Sequence, residues 1–393
     1  MKSSIRTYFS FWIPALLFGL ITLLPAPVWA FGPVKNFNIV DYIFVVDGEE
    51  PEIVIINAES NATLGYITLD QVPASLLVDE KNKLVIATDV LKDRLWFTDP
   101  QTRQIVKEIQ LEIKPHLIAI DPDEEYLVVA DWNKGVVEFI SLPDGKVLGR
   151  VKGLEGAHEL RFNTDTTGEV SLYVSIVDRP EIVVIDTIDM KIINRLMLDG
   201  DQGIIQLGIS ATIQFAIAIP VPSDEAVVHL IDMKTKQSLG PLKLPAPASR
   251  AYFDSFGRYI FLPSAWDGRV WVFDVRKRKI IKTLEFDGPV TGIAPGFLGM
   301  TIYAISAQES TVWGVDLENF EIINTLLLLK TGPYTISSHD QTGKVFISIE
   351  EEMRIMTLDT RILADFEPRM NLISLPDRMP MLVVAAGGLA FCQ

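Results

Sequence analysis

The stretch PASRAYFDSFGRYIFLPSAWDGRVWVFDVRKRKIIKTLEF, residues 247–286, contains four apolar runs separated by short turns. Two similar stretches come earlier, VPASLLVDEKNKLVIATDVLKDRLWFTDPQTRQIVKEIQL at residues 72–111 and IKPHLIAIDPDEEYLVVADWNKGVVEFISLPDGKVLGRVKGL at residues 113–154. Runs of about five to seven residues that are rich in Val, Ile, Phe and Trp, and bounded by Asp, Gly and Pro, are typical of β-strands joined by hairpins. Each stretch therefore predicts one four-stranded antiparallel sheet.

A small polar residue ends the third apolar run of every unit at a nearly constant spacing. The eight positions are Asn57, Asp99, Ser141, Asp186, Asp232, Asp274, Asp316 and Asp359, with gaps of 42, 42, 45, 46, 42, 42 and 43 residues. A period of this length marks a repeat architecture whose units must stack to bury their cores. Four-stranded sheets repeated radially form a propeller. We therefore predict an all-β chain with a single β-propeller, in which eight blades are favoured and seven are the fallback.

The innermost strand of the first blade has two candidate sources. Residues 33–40 precede the first evident strand, but the C-terminal run at residues 381–386 is more apolar and follows the last blade. We favour the C-terminal run, because it would join the two ends of the chain and close the ring.

The repeating polar residues have a structural interpretation. An Asp or Asn side chain at the end of a strand accepts hydrogen bonds from backbone amides two residues on, and Ser does so more weakly. Asp47, Asp89 and Asp131 form a second series of this kind at the ends of second strands. Residues spaced evenly around a ring cannot converge on one substrate, so these series predict turns rather than catalysis.

The first 30 residues are typical of a signal peptide. Lys2 and Arg6 precede an apolar stretch, and small residues at positions 28 and 30 give an A-x-A-like cleavage site. An uncleaved anchor is the alternative, but the apolar stretch is short for a membrane span. We expect residues 1–30 to be removed, residues 31–393 to form the propeller domain, and the product to be periplasmic or secreted without a membrane span.

The charge and the cysteine content limit the partners. The formal net charge is -16, and it becomes -18 without the leader, which carries two basic residues and no acidic one. This excess of negative charge argues against nucleic acid and anionic lipid as partners. The one basic cluster, residues 276–279, falls in a predicted turn, where solvation explains it. The single cysteine, Cys392, cannot form an intramolecular disulfide; it either pairs between chains or is a tolerated terminal residue.

The repeat resembles a known family. LVVAD at residues 127–131 or LVIATD at 84–89, followed by an apolar third strand, an Asp, a short turn and a run such as KIIKTL at 279–284, looks like the YVTN-type propeller repeat. The resemblance covers nearly all of the mature chain. The wider group includes the eight-bladed haem-binding domain of cytochrome-type nitrite reductase, its relatives in haem maturation, and the propeller subunits of periplasmic amine dehydrogenases.

The start of each innermost strand is expected at one mouth of the central channel. Alignment of the units puts these residues there: Ala74, His116, His158, Gln206, Ser249, Val290, Tyr334 and Met381. Two of the four histidines fall on this position in adjacent blades. Imidazole is a common ligand of haem iron, and a guanidinium suits propionates. His116, His158, Tyr334 and the neighbouring Arg250 are therefore the candidates for binding haem or a related tetrapyrrole. In the alternative interpretation, the histidines only hydrogen-bond to backbone or water.

The loops between second and third strands are expected on the same face. They carry Trp132, Trp266, Asp267 and Arg269, and exposed Trp and Arg are enriched in protein interfaces. The alternative is that both tryptophans cover blade cores. The sequence has no Gly-x-Ser-x-Gly motif and no catalytic or metal-binding constellation, so no catalytic residue and no metal site is predicted.

Three functions remain open. We expect an exported, non-catalytic propeller that binds a partner protein or a small ligand at the channel mouth. A propeller that binds haem or acts in redox chemistry is the alternative. A lactonase-like hydrolase is less favoured, since His158 with Glu159 is a narrow basis for it.

Overall fold

The computed structural model describes residues 36–210, 212–328, 332–361 and 368–385, together with the backbone of residues 390–391. The predicted signal peptide, residues 1–30, and Cys392 lie outside this part. Over the described ranges, no helix is long and apolar enough to cross a membrane.

The described residues form eight sheets of four principal strands, which we number as blades 1–8 in chain order. In blades 1–4 the strands are β1 Tyr42–Asp47, β2 Glu52–Asn57, β3 Thr63–Thr68, β4 Ser75–Asp79, β5 Leu84–Asp89, β6 Arg94–Asp99, β7 Gln104–Gln110, β8 Leu117–Ile120, β9 Tyr126–Asp131, β10 Val136–Ser141, β11 Val147–Lys152, β12 Ala157–Thr164, β13 Val170–Ile176, β14 Glu181–Asp186 and β15 Lys191–Met197.

The later strands are β16 Ile204–Ser210, β17 Phe215–Pro220, β18 Val227–Asp232, β19 Gln237–Lys243, β20 Tyr252–Phe253, β21 Tyr259–Pro263, β22 Arg269–Asp274, β23 Lys279–Glu285, β24 Gly292–Pro295, β25 Thr301–Ser306, β26 Thr311–Asp316, β27 Glu321–Leu327, β28 Ile336–His339, β29 Lys344–Ile349, β30 Arg354–Asp359, β31 Arg369–Ser374, β32 Pro380–Ala385 and β33 Ala390–Phe391. Short 3₁₀ helices span Ile39–Asp41, Phe297–Gly299 and Glu350–Glu352. The all-β, eight-bladed prediction is confirmed.

The C-terminal run closes the ring. Strand β32 pairs antiparallel with β1, with Val384 opposite Phe44, and supplies the innermost strand of blade 1. Residues 39–41, the other candidate region, form a 3₁₀ helix instead. Strand β33, which the sequence did not suggest, then pairs with β4 and gives blade 2 a fifth strand at its inner edge. The last strands of the chain therefore join the first two blades.

The core lies between neighbouring blades. Each innermost strand contacts the next around the ring, ending with β32 against β4. Trp96, Trp271 and Trp313 are fully buried at one equivalent position in the third strands of blades 2, 6 and 7. Blade 5 has His229 at this position, also buried. Large side chains from third strands thus fill the wedges between blades.

The turn prediction is confirmed for both series of polar residues. Asp232 Oδ1, for example, accepts hydrogen bonds from the amides of Lys234 and Thr235, both at 3.0 Å. The hydroxyl of Ser141 instead accepts from the amide of Lys146 at 3.1 Å, across a wider turn. In the second series, Asp131 Oδ1 accepts from residues 133 and 134, both at 3.0 Å. These side chains are occupied in holding turns.

Candidate functional site

A cavity of about 470 Å³ lies in the central channel at the starts of the innermost strands. Its lining comes from blades 4–8 and blade 1. Six lining residues sit at one equivalent position, opposite the end of each blade's second strand: Glu159, Gln206, Arg250, Gly292, Thr335 and Leu382. We call these six the channel ring. The expectation that strand starts border the channel agrees with this lining.

The channel ring is offset by one residue from the sequence alignment in several blades. In blade 4 the ladder shifts between Ala157 and Glu159, so that His158 is the extra residue of a β-bulge. Blade 5 has the same irregularity between Ile204 and Gln206, which makes Ile205 the counterpart of His158. Because of its bulge, blade 4 presents Glu159 rather than His158 to the cavity. The sequence spacing of the third strands does not reveal these bulges.

Arg250 and Tyr334 are brought together in the cavity lining, as the tetrapyrrole hypothesis requires. Tyr252 joins them and donates a hydrogen bond from its hydroxyl to the carbonyl of Thr291 at 3.1 Å. Burial raises the pKa of the Tyr252 phenol, while the positive charge of Arg250 opposes this. The Tyr252 phenol therefore stays neutral at neutral pH and can donate or accept hydrogen bonds.

His116 is held away from this cavity, against Trp132. The two rings stack with centroids 4.2 Å apart and planes within 7°. Nδ1 of His116 lies 3.6 Å from Oδ1 of the buried Asp131. Burial lowers the pKa of His116, and the nearby Asp131 carboxylate counteracts this. His116, a predicted cofactor residue, and Trp132, a predicted partner residue, thus form one cluster, which confirms that strand starts and second-to-third-strand loops share a face.

His158 does not line the cavity either. Its Nδ1 is buried and has no hydrogen-bond partner among the described residues. The next residue in the chain, Glu159, lies in the channel ring. The structure therefore brings Arg250 and Tyr334 together but joins neither histidine to them, and the iron-ligand role of the histidines stays a prediction.

Two channel-ring side chains bridge adjacent blades. Glu159 in blade 4 accepts a 2.5 Å hydrogen bond from the amide of Leu207 in blade 5, and its other oxygen pairs with Arg161 at 2.5 Å. Gln206 in blade 5 accepts from the amide of Ala251 in blade 6 at 2.6 Å and donates to the carbonyl of that residue at 3.2 Å. In both cases the side chain satisfies inner-edge backbone groups of the next blade.

Trp266, Asp267 and Arg269 form a separate group in blade 6. Trp266 is 60% exposed, whereas Trp132 is 41% exposed. Asp267 and Arg269 pair with each other at 2.6 Å, and this contact lowers the pKa of Asp267 to about 2. Blades 4 and 5 lie between Trp132 and Trp266, so the predicted partner residues make up two patches along the mouth face.

Sequence reasoning missed Glu159, Arg161 and Tyr252 as cavity residues. A signal for them exists, because strand starts in blades 4 and 6 carry polar residues two apart, in HELR at residues 158–161 and SRAY at 249–252. The corresponding start in blade 3, PHLIAI at residues 115–120, is apolar after its histidine. Alternating polar residues in strands that are otherwise apolar indicate a wetted channel wall.

Comparisons with known proteins agree with this architecture. A structure of "Dihydro-heme d1 dehydrogenase NirN in complex with DHE" is similar, with a TM-score of 0.71 and 13% sequence identity, covering 91% of this chain and 77% of that chain. Hydrazine synthase from Kuenenia stuttgartiensis is also similar, with a TM-score of 0.56 and 15% identity, covering 74% of this chain and 96% of that chain. At these low sequence identities, the structural similarity establishes the fold alone.

No curated protein sequence matches the chain significantly. The family model described as "YNCE-like beta-propeller" matches residues 1–203, which is just over half of the 393 residues. The repeat, the eight closed blades and this match together place the chain in the YNCE-like β-propeller family.

Proposed function

We propose that this propeller is a non-catalytic binding protein that holds a small organic anion in its channel cavity. The observation that carries the proposal is the lining of one cavity by two guanidinium groups, from Arg161 and Arg250, against the one carboxylate of Glu159, which leaves a local positive excess in a chain of net charge -16. Guanidinium groups recognise carboxylates and phosphates through paired hydrogen bonds. An anion is therefore attracted to this cavity although the rest of the protein repels it.

The same lining suits a ligand with an apolar body. Ile336, Leu382 and Val383 contribute aliphatic surface, and Phe253 adds an aromatic ring. Small-molecule sites typically have volumes of about 300–1,000 Å³ and are mostly apolar with a few polar groups that fix orientation. The cavity of about 470 Å³ falls in that range.

The non-catalytic part of the proposal rests on Glu159. It is the one carboxylate that the described residues contribute to the cavity lining, and its two oxygens are taken up by Arg161 and by the amide of Leu207. A general base must be within hydrogen-bonding reach of the proton that it removes. Glu159 is instead engaged in joining blades, so binding is better supported than hydrolysis.

A tetrapyrrole is the first ligand to test, since the NirN structure carries the description "in complex with DHE". The arginines of the cavity fit the carboxylates of such a ligand. The histidines fit less well, because His116 is stacked on Trp132 and neither it nor His158 is among the lining residues. We therefore propose recognition through carboxylates and apolar contact, without a step that depends on iron.

The test is a spectroscopic titration of the purified full chain with haem and with the metal-free porphyrin dicarboxylate. We expect both to bind with similar affinity, and Arg250→Gln to weaken binding about 10- to 100-fold, as for loss of a charged hydrogen bond. Arg369→Gln, on an exposed outer strand, is the matched control. Failure of both compounds to bind would reject the tetrapyrrole, and an equal loss in the control would reject the cavity.

Binding of a partner protein at the mouth is the second candidate, and the exposure of Trp266 favours it. At 60% exposed, this indole adds little to its own blade core and is available for contact. We further propose export, on the basis of the leader. Mass spectrometry of the mature chain should then find Phe31 at its N-terminus, and retention of residues 1–30 would contradict cleavage.

A further inference from the structure

One corner of the propeller combines basic and apolar side chains on the face opposite the channel mouth. Strands alternate in direction, so first hairpins and third-to-fourth-strand turns share that face. Blade 6 contributes Phe256 and Arg258 from its first hairpin and residues 276–279, RKRK, from its later turn. Blade 7 contributes Leu298 and Met300. We call these residues the basic–apolar corner.

The corner is contiguous. The amide of Val275, next to the basic turn, donates to the carbonyl of Arg258 at 3.0 Å. The Arg258 guanidinium lies 5.0 Å from the ring centre of Phe256 and donates to the carbonyl of Gly299 at 3.1 Å. A Cβ at Gly299 would lie 2.9 Å from the Phe256 ring, so the two hairpins are closely packed.

The apolar side chains of the basic–apolar corner are exposed. Phe256, Leu298 and Met300 are 50%, 58% and 40% exposed. The equivalent hairpins of blades 2 and 3 carry charged tips, EK at residues 80–81 and DE at 123–124. A hairpin tip in this fold therefore does not need apolar residues, and exposing three of them requires another explanation.

Leu298 also has a left-handed backbone, with φ 55° and ψ 19°. This conformation is less favourable for a residue with a side chain than for glycine. A leucine here combines backbone strain with an exposed apolar side chain. The first hairpins of blades 2, 3 and 5 also hold a left-handed non-glycine residue, at Lys83, Glu124 and Gln214, so the turn accounts for the backbone conformation but not for the exposed leucine side chain.

The charge of the corner is opposite to that of the whole chain. Arg258 pairs with the buried Asp254, and Lys277 pairs with Asp274. Arg276, Arg278 and Lys279 are exposed, and among the described residues no ion pair is recorded for them. The corresponding turn of blade 7 carries two exposed acidic residues, Glu318 and Glu321. The basic turn thus leaves a local positive excess.

The net charge of the whole chain argues against anionic lipid, but the local charge of this corner is reversed, and we propose that the basic–apolar corner docks on the surface of an anionic lipid bilayer. A bilayer offers anionic headgroups and an apolar layer within a few ångströms of each other, which matches basic side chains flanking exposed apolar ones. The negative charge of the remaining surface restricts contact to this corner. Docking in this orientation leaves the channel mouth facing away from the lipid.

The test is co-sedimentation of the full chain with vesicles of phosphatidylglycerol and phosphatidylcholine, and with phosphatidylcholine alone. We expect binding to the anionic vesicles that weakens as salt is raised. Arg276→Glu with Arg278→Glu should reduce binding on the order of 30-fold or more. Lys152→Glu with Lys243→Glu makes the same change in charge on outer strands and should have little effect.

A second pair of variants tests the apolar contribution to vesicle binding. Leu298→Asn keeps a residue that tolerates the left-handed backbone and should weaken vesicle binding. Leu91→Asn removes a leucine that is 76% exposed in a second-to-third-strand loop and should not. Equal losses in test and control variants, or equal binding to neutral vesicles, would overturn the proposal. So would self-association without vesicles that Arg276→Glu with Arg278→Glu abolishes, since the partner would then be a second copy.

Discussion

On one side of the channel, blades 4 and 5 present Glu159 and Gln206 at the ring position, and both side chains bond to the backbone of the next blade. On the other side, blades 7, 8 and 1 present Gly292, Thr335 and Leu382. Thr335 bonds within its own blade, its amide donating to Ser348 Oγ at 2.9 Å. The same position therefore either joins blades or leaves room for a ligand, according to the length and polarity of its side chain.

Among the channel-ring variants, the largest effect is expected for Glu159→Ala. The amide of Leu207 loses its side-chain acceptor and Arg161 loses its partner, which together should cost about 2–3 kcal/mol in free energy of unfolding. Glu159→Gln keeps an acceptor for the amide and should cost about 1 kcal/mol. Urea unfolding measures both. A loss below about 0.5 kcal/mol in the alanine variant, which is the size of a neutral surface substitution, would mean that this contact does not join the blades.

Gln206→Ala should have the next largest effect. Both hydrogen bonds to Ala251 disappear in a nearly buried setting, and we expect a loss of about 1–2 kcal/mol in the same assay. Thr335→Val provides the comparison on the other side of the channel, where the amide of Thr335 keeps Ser348 as its acceptor. It should cost less than about 1 kcal/mol. If the two losses are equal, the proposed difference between the sides is wrong.

Buried histidines on both sides of the channel should make the stability of the fold depend on pH in the same direction. Burial lowers the pKa of His229 in blade 5 and of His339 in blade 8. Below the unfolded pKa of about 6.5 the unfolded chain binds more protons, so stability falls as pH falls, by up to about 1.4 kcal/mol per pH unit for each histidine. His229→Gln should flatten the decline between pH 6.5 and 5. The carboxyl groups titrate alike in the wild-type protein and in the His229→Gln variant. An unchanged slope of stability against pH would therefore show that His229 does not contribute.

Trp266→Ala should have the smallest effect on stability. An indole that is 60% exposed has little packing to lose, and we expect a change within about 0.5 kcal/mol. Trp271→Ala, at a fully buried position in the same blade, should cost about 3–5 kcal/mol. Thermal unfolding of the two variants separates an exposed contact residue from a core residue, and similar melting temperatures would contradict the assignment.

The blade architecture could be predicted because its determinants are local. The polar residues from Asn57 to Asp359 bond to amides two or three positions away, or five in the case of Ser141, and that chemistry is visible in a short window of sequence. Ring closure by the C-terminal run was also predictable, since an apolar strand remained after the last blade. Strand β33 is two residues long and gives no periodic signal.

The site was harder to predict, because it depends on register between strands. A bulge of one residue at His158 exchanges a histidine for Glu159 at the cavity, and nothing in the 42- to 46-residue spacing of third strands records it. The contacts that shape the channel also join residues far apart in sequence, such as Glu159 and Leu207, 48 positions apart. Arg250 and Tyr334 were identified by their place in the repeat. The identification succeeded although the sequence alignment differs by one residue from the channel ring in these two blades.

Closure by strand β32 has a consequence for biogenesis. Until residue 385 has been synthesised, β1 lacks its inner partner and presents an unpaired edge of six mostly apolar residues. Exposed edges of this kind recruit strands from other chains, and a nascent propeller carries the hazard throughout elongation. A premature stop anywhere in the last blade should therefore yield an aggregating product rather than a seven-bladed ring. The segment from Ile373 to Ala385, which contains the last turn and strand β32, therefore decides whether the whole chain remains unaggregated.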